Sequence, residues 1–169
     1  MRGAALALAV VLAACGGAGE IDLTGVYRVE SAVRSAPCGD DRAVVDPPAY
    51  LKFTRGELFG GPFYSYVECA DEAATDCVAV GGLLEGFFEP REHGWVGFSS
   101  SATGPDGDCQ LRVQEQEATL GDGVLLVEAR VHRADHVALP PGRCAPAEAE
   151  ARGDAMPCVS HTRTIATRL

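Results

Sequence analysis

Cysteine and histidine carry the most reactive side chains of this 169-residue chain, and their spacing bears on metal binding. The seven cysteines include no Cys-x-x-Cys pair, the usual spacing of a structural zinc site. His132 and His136 stand four residues apart, but on a strand this spacing separates them by about 13 Å, too far to share an ion. Asp106-Gly107-Asp108 lacks the further oxygen ligands of a calcium loop and is typical of a hairpin turn. The sequence therefore predicts no metal and no cofactor.

Motifs of known enzyme classes are also absent from the sequence. It has no Gly-x-Ser-x-Gly nucleophile elbow, no His-Glu-x-x-His, no phosphate loop and no dinucleotide fingerprint. Nothing in the spacing of the four histidines pairs any of them with a serine and an aspartate as a triad. We therefore predict that the protein is not an enzyme.

The N-terminus has the pattern of an export signal. Arg2 supplies a positive charge, and residues 4–14 form an apolar run. As a helix this run is about 16 Å long, too short to cross roughly 30 Å of hydrocarbon. No later segment is apolar for 18 residues, so the sequence predicts export of the chain and no transmembrane span.

The apolar run ends in Leu12-Ala13-Ala14-Cys15, which resembles the lipobox of bacterial lipoproteins. The resemblance implies cleavage before Cys15, lipid attachment at its thiol and a membrane as partner through that lipid anchor. Because Gly16 and not Asp follows the cysteine, it also implies the outer membrane of a bacterial cell envelope. The predicted organisation is a signal peptide at 1–14, a lipidated tether at 15–20 and a single domain at 21–169.

Six cysteines remain after Cys15, an even number that predicts disulfides in an exported chain. Fifteen pairings are possible. The two short separations favour Cys69 with Cys77 and Cys144 with Cys158, which leaves Cys38 with Cys109.

Composition restricts the class of partner. Without residues 1–14 the chain keeps 155 of its 169 residues, enough for one domain with a core. It then holds 13 basic and 24 acidic residues, a net charge of −11. This acidity argues against binding nucleic acid.

Alternating apolar and polar residues, separated by turn sequences, predict about eight β-strands. These strands are expected at 21–33, 50–54, 63–68, 83–88, 95–100, 109–116, 124–132 and 159–168. Short breaks such as Gly121-Asp122-Gly123 and the lack of long helices predict an all-β fold. The predicted architecture is an antiparallel eight-stranded up-and-down barrel, with a β-sandwich as the alternative. Residues 146–152 predict a short helix or loop before the last strand.

The domain weakly resembles the lipocalin-like (calycin) barrels, which begin with Gly-x-Trp and carry an arginine on the last strand. This chain has Gly25-Val26-Tyr27 at the corresponding place and Arg163 in its final strand. The resemblance implies that Arg163 packs across Tyr27 to close the barrel, and that the cavity holds a small ligand.

Aromatic residues on several strands fit either a packed core or a cavity mouth. We expect Tyr27 and Trp95 to line a site for a small apolar or amphipathic molecule. The alternative is a filled domain that acts as a structural or protein-interaction module at the cell surface, with an envelope protein as partner.

Overall fold

The computed structural model describes residues 20–80, 85–105 and 107–169. The predicted signal peptide at 1–14, Cys15 and all but the last residue of the tether lie outside this part of the chain. The described strands are β1 Gly25–Ser35, β2 Ala43–Val44, β3 Tyr50–Leu58, β4 Gly61–Cys69, β5 Cys77–Ala79, β6 Glu89–Arg91, β7 Gly94–Thr103, β8 Cys109–Gly121, β9 Val124–Val137 and β10 Cys158–Arg168. One α-helix, α1 Pro146–Arg152, precedes β10 and confirms the short helix expected there.

All described strands belong to one antiparallel sheet, and not to the two sheets of the alternative sandwich. Its order is β5-β4-β3-β1-β10-β9-β8-β7-β6, and β2 adds to β1. The all-β prediction is therefore confirmed, whereas this strand order is that of an open sheet and does not confirm a closed barrel. One isolated bridge, between Tyr64 of β4 and Phe87, which precedes β6, also links the opposite ends of this strand order.

The strand register gives the sheet two distinct ends. The hairpin end holds the β3–β4, β6–β7 and β8–β9 turns, the start of β1 and the end of β10. The opposite end, called the disulfide end below, holds the last residues of β1, β4, β7 and β9 and the first residues of β8 and β10. Residues 20–24 enter at the hairpin end and lead directly into β1.

The main core lies on the inward face of the sheet, near the hairpin end. Because side chains alternate between the two faces of a strand, each strand contributes every second residue to it. The core consists of Leu23, Tyr27, Leu51, Phe53, Tyr64, Phe87, Trp95, Ala118, Leu125, Val127 and Ala166. Aromatic edge-to-face contacts, such as Tyr64 to Trp95 at 4.9 Å between ring centroids, fill this volume.

A second, smaller core lies on the outward face at the disulfide end. Helix α1 covers β7 and β8 there, and Ala149 is its buried residue. Leu111 and Val113 of β8 and Met156 pack with it. The helix has few apolar positions because a single alanine face is enough to cover this short stretch of strand.

Candidate functional site

Tyr27 and Trp95, the two residues predicted to bind a ligand, lie together in the packed main core. Neither side chain is exposed to solvent. The Tyr27 hydroxyl donates to the Leu23 carbonyl at 2.8 Å, and Trp95 Nε1 donates to the Ile21 carbonyl at 2.7 Å. Both polar groups are thus satisfied by residues 20–24, so these two rings form the floor of the interior.

Residues 20–24 close the hairpin end as a lid. Glu20 accepts a hydrogen bond from Arg55 at 3.0 Å, and Asp22 accepts one from the Tyr64 hydroxyl at 3.0 Å. The Thr24 backbone N–H donates to the Asp22 carboxylate at 2.8 Å and, with the Thr24 side chain, is the main reason why the pKa of Asp22 is lowered. The side chain of Leu23 points into the core and is fully buried.

The arginine that packs against Tyr27 is Arg168, so the prediction of Arg163 is wrong. Arg168 lies 5.3 Å from the centroid of the Tyr27 ring, and its Nη2 donates to the tyrosine hydroxyl at 2.8 Å. The same nitrogen donates to the carbonyls of Asp22 and Thr24. Gly25 lies where predicted, since a Cβ there would be 3.4 Å from Arg168 Nε.

Strand alternation explains the error. Arg163 and Arg168 are five residues apart on β10 and therefore face opposite sides of the sheet. Arg163 faces outward, where its Nε lies 4.0 Å from Glu128 Oε1. Register and alternation, and not membership of the last strand, decide which arginine meets Tyr27.

Gly97 and Gln116 mark the middle of the interior. A Cβ at Gly97 would lie 2.1 Å from the Gly86 carbonyl oxygen, so glycine is required for the backbone of residues 85–86 to pass there. Gln116 is buried and donates to the carbonyls of Glu85 and Gly86. The space that Gly97 leaves is therefore filled by the chain itself.

Above this level, towards the disulfide end, the inward face becomes polar. Tyr66 stacks on Phe53 with 5.1 Å between ring centroids. Burial, together with the charges of Glu68 and Glu85, raises the pKa of Tyr66 to about 12. Arg112 donates to Gln114, and its Nη1 lies 4.0 Å from Glu85. We call Tyr66, Glu68, Glu85, Arg112 and Gln114 the polar cluster.

The wall around the polar cluster is partly open to solvent. On β9, Leu125 and Val127 are buried, but Ala129 and Val131, which continue the same face, are half-buried. On β10, Ala166 and Ser160 are buried and Thr164, between them on the same face, is half-buried. The interior thus changes from a sealed aromatic floor to a polar, partly buried region near the disulfide end.

We call the partly exposed region around the polar cluster the mouth. Two cationic side chains oppose each other there. Arg112 of β8 and Arg133 of β9 are directly paired in the register. Opposed like charges on neighbouring strands are destabilising. Arg133 has Asp135 as a partner at 3.1 Å, and Arg112 has Glu85 only at the longer distance given above.

The six cysteines of the domain form three disulfides, all at the disulfide end. Cys69–Cys77 is confirmed, and its cysteines face each other on β4 and β5. The other two predicted pairs are wrong, because the observed bonds are Cys38–Cys158 and Cys109–Cys144.

Topology accounts for these two pairings. Cys158 begins β10, whose neighbour β1 leads into the loop that carries Cys38. Cys144 precedes helix α1, which packs on β7 and β8 and so brings it to Cys109 at the start of β8. Proximity in the sheet, and not in the sequence, selects the partners.

A groove of about 320 Å³ crosses the outward face of β6 to β9. Phe98 is 46% exposed there. Glu117 and Glu128 face each other across β8 and β9. The groove also holds Glu89, Arg91, Glu115 and Arg130, so its acidic side chains outnumber its basic ones, and its chemistry suits a cationic partner.

The histidines are dispersed in the structure. His132 is buried and its Nδ1 lies 3.0 Å from the Met156 carbonyl, whereas His136 is exposed beside Asp108. Among the described residues, no group of three or more His, Cys, Asp or Glu side chains is arranged to hold a metal ion. Within the same ranges, no helix is long and apolar enough to cross a membrane.

The sequence prediction missed the whole polar cluster. Its signal was present in Arg112, Gln114 and Gln116, which alternate on β8 and place polar side chains on the face that also carries Ala118. The pattern becomes informative only when the register shows that this face is the inward one.

The chain was also compared with known proteins. No protein-family model, no curated protein and no solved structure matches it.

Proposed function

We propose that this protein is a lipid-anchored bacterial envelope protein that binds a small amphipathic molecule at the polar mouth of a β-barrel. The observation that carries the proposal is the change along the inward face from a sealed aromatic floor to a partly exposed polar cluster. The proposal has three parts, which are the barrel, the anchor and the ligand.

The barrel part rests on the bridge between Tyr64 and Phe87. Their backbones exchange two hydrogen bonds of 2.9 and 2.8 Å, and the next residue, Phe88, donates to Val96 of β7 at 2.9 Å. Residues 87–91 then act as the strand that joins β4 to β7. With β1, β3, β4, β7, β8, β9 and β10 they make an eight-stranded up-and-down barrel, to which β2 and β5 are short additions.

The anchor part rests on the sequence Leu12-Ala13-Ala14-Cys15 and on the pairing of the other cysteines. Because all six later cysteines bond to each other, Cys15 is the one left over. An unpaired cysteine directly after an export signal suits acylation. Mass spectrometry of the native protein tests this: we expect residues 1–14 to be absent and the N-terminal cysteine to carry acyl chains. A free thiol at Cys15 would contradict it.

The ligand part follows from the chemistry of the mouth. Tyr66 offers an aromatic surface, and the guanidinium of Arg112, which has Glu85 as an acidic neighbour only at 4.0 Å, is the group that a carboxylate head group would contact. A medium-chain carboxylate combines the two requirements. We therefore expect octanoate to bind more tightly than octanol, because a hydrogen bond to a charged group contributes about 1.5–3 kcal/mol, which corresponds to roughly tenfold or more in affinity.

Isothermal titration with the two ligands tests this preference. Arg112→Gln should bring the affinity for octanoate down to that for octanol. Arg130→Gln is the matched control, because Arg130 lies on the same two-strand pair but faces the outer groove. Absence of octanoate binding, or equal effects of the two substitutions, would overturn the ligand proposal.

The outer groove supports a second candidate function, an interaction module for a cationic envelope protein. Its acidic side chains and the half-exposed Phe98 would meet a basic, partly apolar surface. Because exposed charges are screened by salt, capture of such a partner should fall as ionic strength rises. Substituting Glu117 and Glu128 with Gln should abolish this capture without changing octanoate binding.

A further inference from the structure

The turn between β3 and β4 places an aromatic residue where folding does not favour one. Phe59 has φ of 52°, in the left-handed region, and its side chain is 95% exposed. A two-residue turn with positive φ at both positions prefers Asn or Asp followed by Gly. The equivalent turn between β8 and β9 follows this rule with Asp122-Gly123, at φ of 51° and 77°. Phe59 thus occupies a strained backbone position without gaining any burial.

The hairpin that carries Phe59 projects beyond the start of β1. Pairing between β1 and β3 begins at Gly25 and Phe53. Phe59 follows Phe53 by six residues, which is about 20 Å along a strand. Residues 58–67 contain no charged side chain. The turn and the first part of β4 are therefore uncharged, and Glu57 of β3 is the charged residue that precedes them.

The chain that leads to Cys15 leaves from the hairpin end, where the β3–β4 turn also lies. Glu20 bonds to Arg55, which precedes Phe59 by only four residues on β3. Glu20 follows Cys15 by five positions, so Cys15 lies at most about 18 Å of extended chain from Glu20. An acylated Cys15 would hold the hairpin end, and not the disulfide end, against the bilayer.

We propose that Phe59 inserts into the interfacial region of the bilayer that holds the lipid anchor, and so fixes the barrel with its ligand mouth facing away from the membrane. This inference rests on the proposed acylation of Cys15. Burial of Phe59 in lipid offsets the backbone strain of the turn, and the uncharged residues that follow it have no charge to desolvate. The surface takes a lipid bilayer as its occupant, because the tether limits what this turn can reach.

Exposed apolar residues at the disulfide end differ from Phe59 in their backbone. Val44, which is 83% exposed, belongs to β2 and has a β-branched side chain that suits a strand. Nothing in its conformation is strained. Val44 therefore serves as the matched control position for Phe59.

The experiment uses the full acylated protein in phosphatidylcholine vesicles, with and without bromine on the acyl chains. Phe59→Trp and Val44→Trp each add a second tryptophan to Trp95, which is buried in the core and supplies a constant background. We expect bromine to quench the tryptophan introduced at position 59, with an emission shift to shorter wavelength, and to leave the one at position 44 unchanged.

Flotation of the same vesicles separates the failure of this inference from that of the proposed anchor. If the protein does not float with vesicles, the anchor is absent and the insertion falls with it. If it floats but position 59 is not quenched more than position 44, insertion is overturned while the anchor stands. An emission shift of the Phe59→Trp protein that depends on protein concentration without vesicles would assign the turn to a second copy of the chain and also overturn insertion.

Discussion

At the hairpin end, two-residue turns join consecutive strands, and at the disulfide end longer loops join them. The hairpin end is held by packing: Tyr27, Trp95 and Leu23 are fully buried, and Arg168 bonds the last strand to residues 22–24. The disulfide end has the three covalent bonds and a polar, partly open interior. Among the described residues, no disulfide lies at the hairpin end, where packed side chains seal the interior. Where the interior is polar, three disulfides and the smaller outward core hold the strands together.

The largest effect is expected from removing the centre of the packed floor. Trp95→Ala should lower the free energy of unfolding by about 3–5 kcal/mol, because it deletes a large buried side chain and leaves the Ile21 carbonyl without its donor. Denaturant unfolding followed by circular dichroism measures the change. Phe98→Ala on the outward face of the same strand is the control and should cost far less. Similar losses in both variants would contradict a floor that lies at the hairpin end.

The next effect is expected at the disulfide end, from removal of the Cys38–Cys158 bond, which joins residues 120 apart in the sequence. The double substitution Cys38→Ser with Cys158→Ser should lower stability by about 2–5 kcal/mol. Native-state hydrogen exchange should show lower protection at all amides that exchange through global unfolding, and an additional local loss at the ends of β1 and β10 near those cysteines. An additional local loss at the Arg168 end of β10 instead would mean that the two ends are not held independently.

A smaller effect is expected from the arginine that joins residues 22–24 to β10. Arg168→Ala should cost about 1–3 kcal/mol, since it removes charge-assisted hydrogen bonds to two carbonyls and to the Tyr27 hydroxyl. Arg168→Lys should restore little, because an ammonium group cannot reproduce the planar set of donors. The control is Arg163→Ala on the opposite face, and an equal loss there would argue against the role of Arg168.

The dependence of stability on alkaline pH tests whether Tyr66 is shielded from solvent in the polar interior. The folded-state pKa of Tyr66 is raised to about 12, above the ordinary value of 10.0. Stability from its neutral form is therefore complete below pH 10 and is lost as the pH rises from about 10 to about 12. Tyr66→Phe should remove this part of the alkaline loss, measured by unfolding at pH 9 and above. An alkaline loss that is the same in Tyr66→Phe as in the wild-type protein would contradict this expectation.

The smallest expected effect is an increase in the free energy of unfolding. Phe59→Asn should raise stability in solution by about 1 kcal/mol, because asparagine tolerates the left-handed backbone better than phenylalanine. Asp122→Asn in the equivalent turn should have little effect, since Asp already suits that position. Thermal unfolding of the two variants side by side gives the comparison, and a loss of stability in Phe59→Asn would show that the ring contributes to folding.

The sequence predicted the elements better than their assembly. Hydrophobic alternation located most strands, and the composition of residues 146–152, which is local information, predicted a short helix or loop where the structure has α1. Cys69–Cys77 was also predictable, since a tight loop brings its two cysteines together. In contrast, Cys38–Cys158 joins residues 120 apart, and only the pairing of β1 with β10 makes it possible.

The site was less predictable for a related reason. The sequence predicted that Tyr27 and Trp95 line a ligand site, whereas both lie in the packed core, because depth along the strand decides whether an aromatic side chain seals an interior or lines its opening. Arg168 was missed in favour of Arg163 because the two differ only in the face that they occupy. Depth and face are both set by register, which a single sequence does not specify.

The bridge between Tyr64 and Phe87 differs from the other strand pairings in what holds it together. Elsewhere in the sheet, neighbouring strands are joined by continuous backbone ladders, which depend little on side-chain identity. At this seam two backbone hydrogen bonds are supported mainly by rings, with Phe87 against Phe53 and Phe63 stacked on Phe88. Substitutions of these rings are therefore expected to change how firmly the bridge is held without changing the strand order.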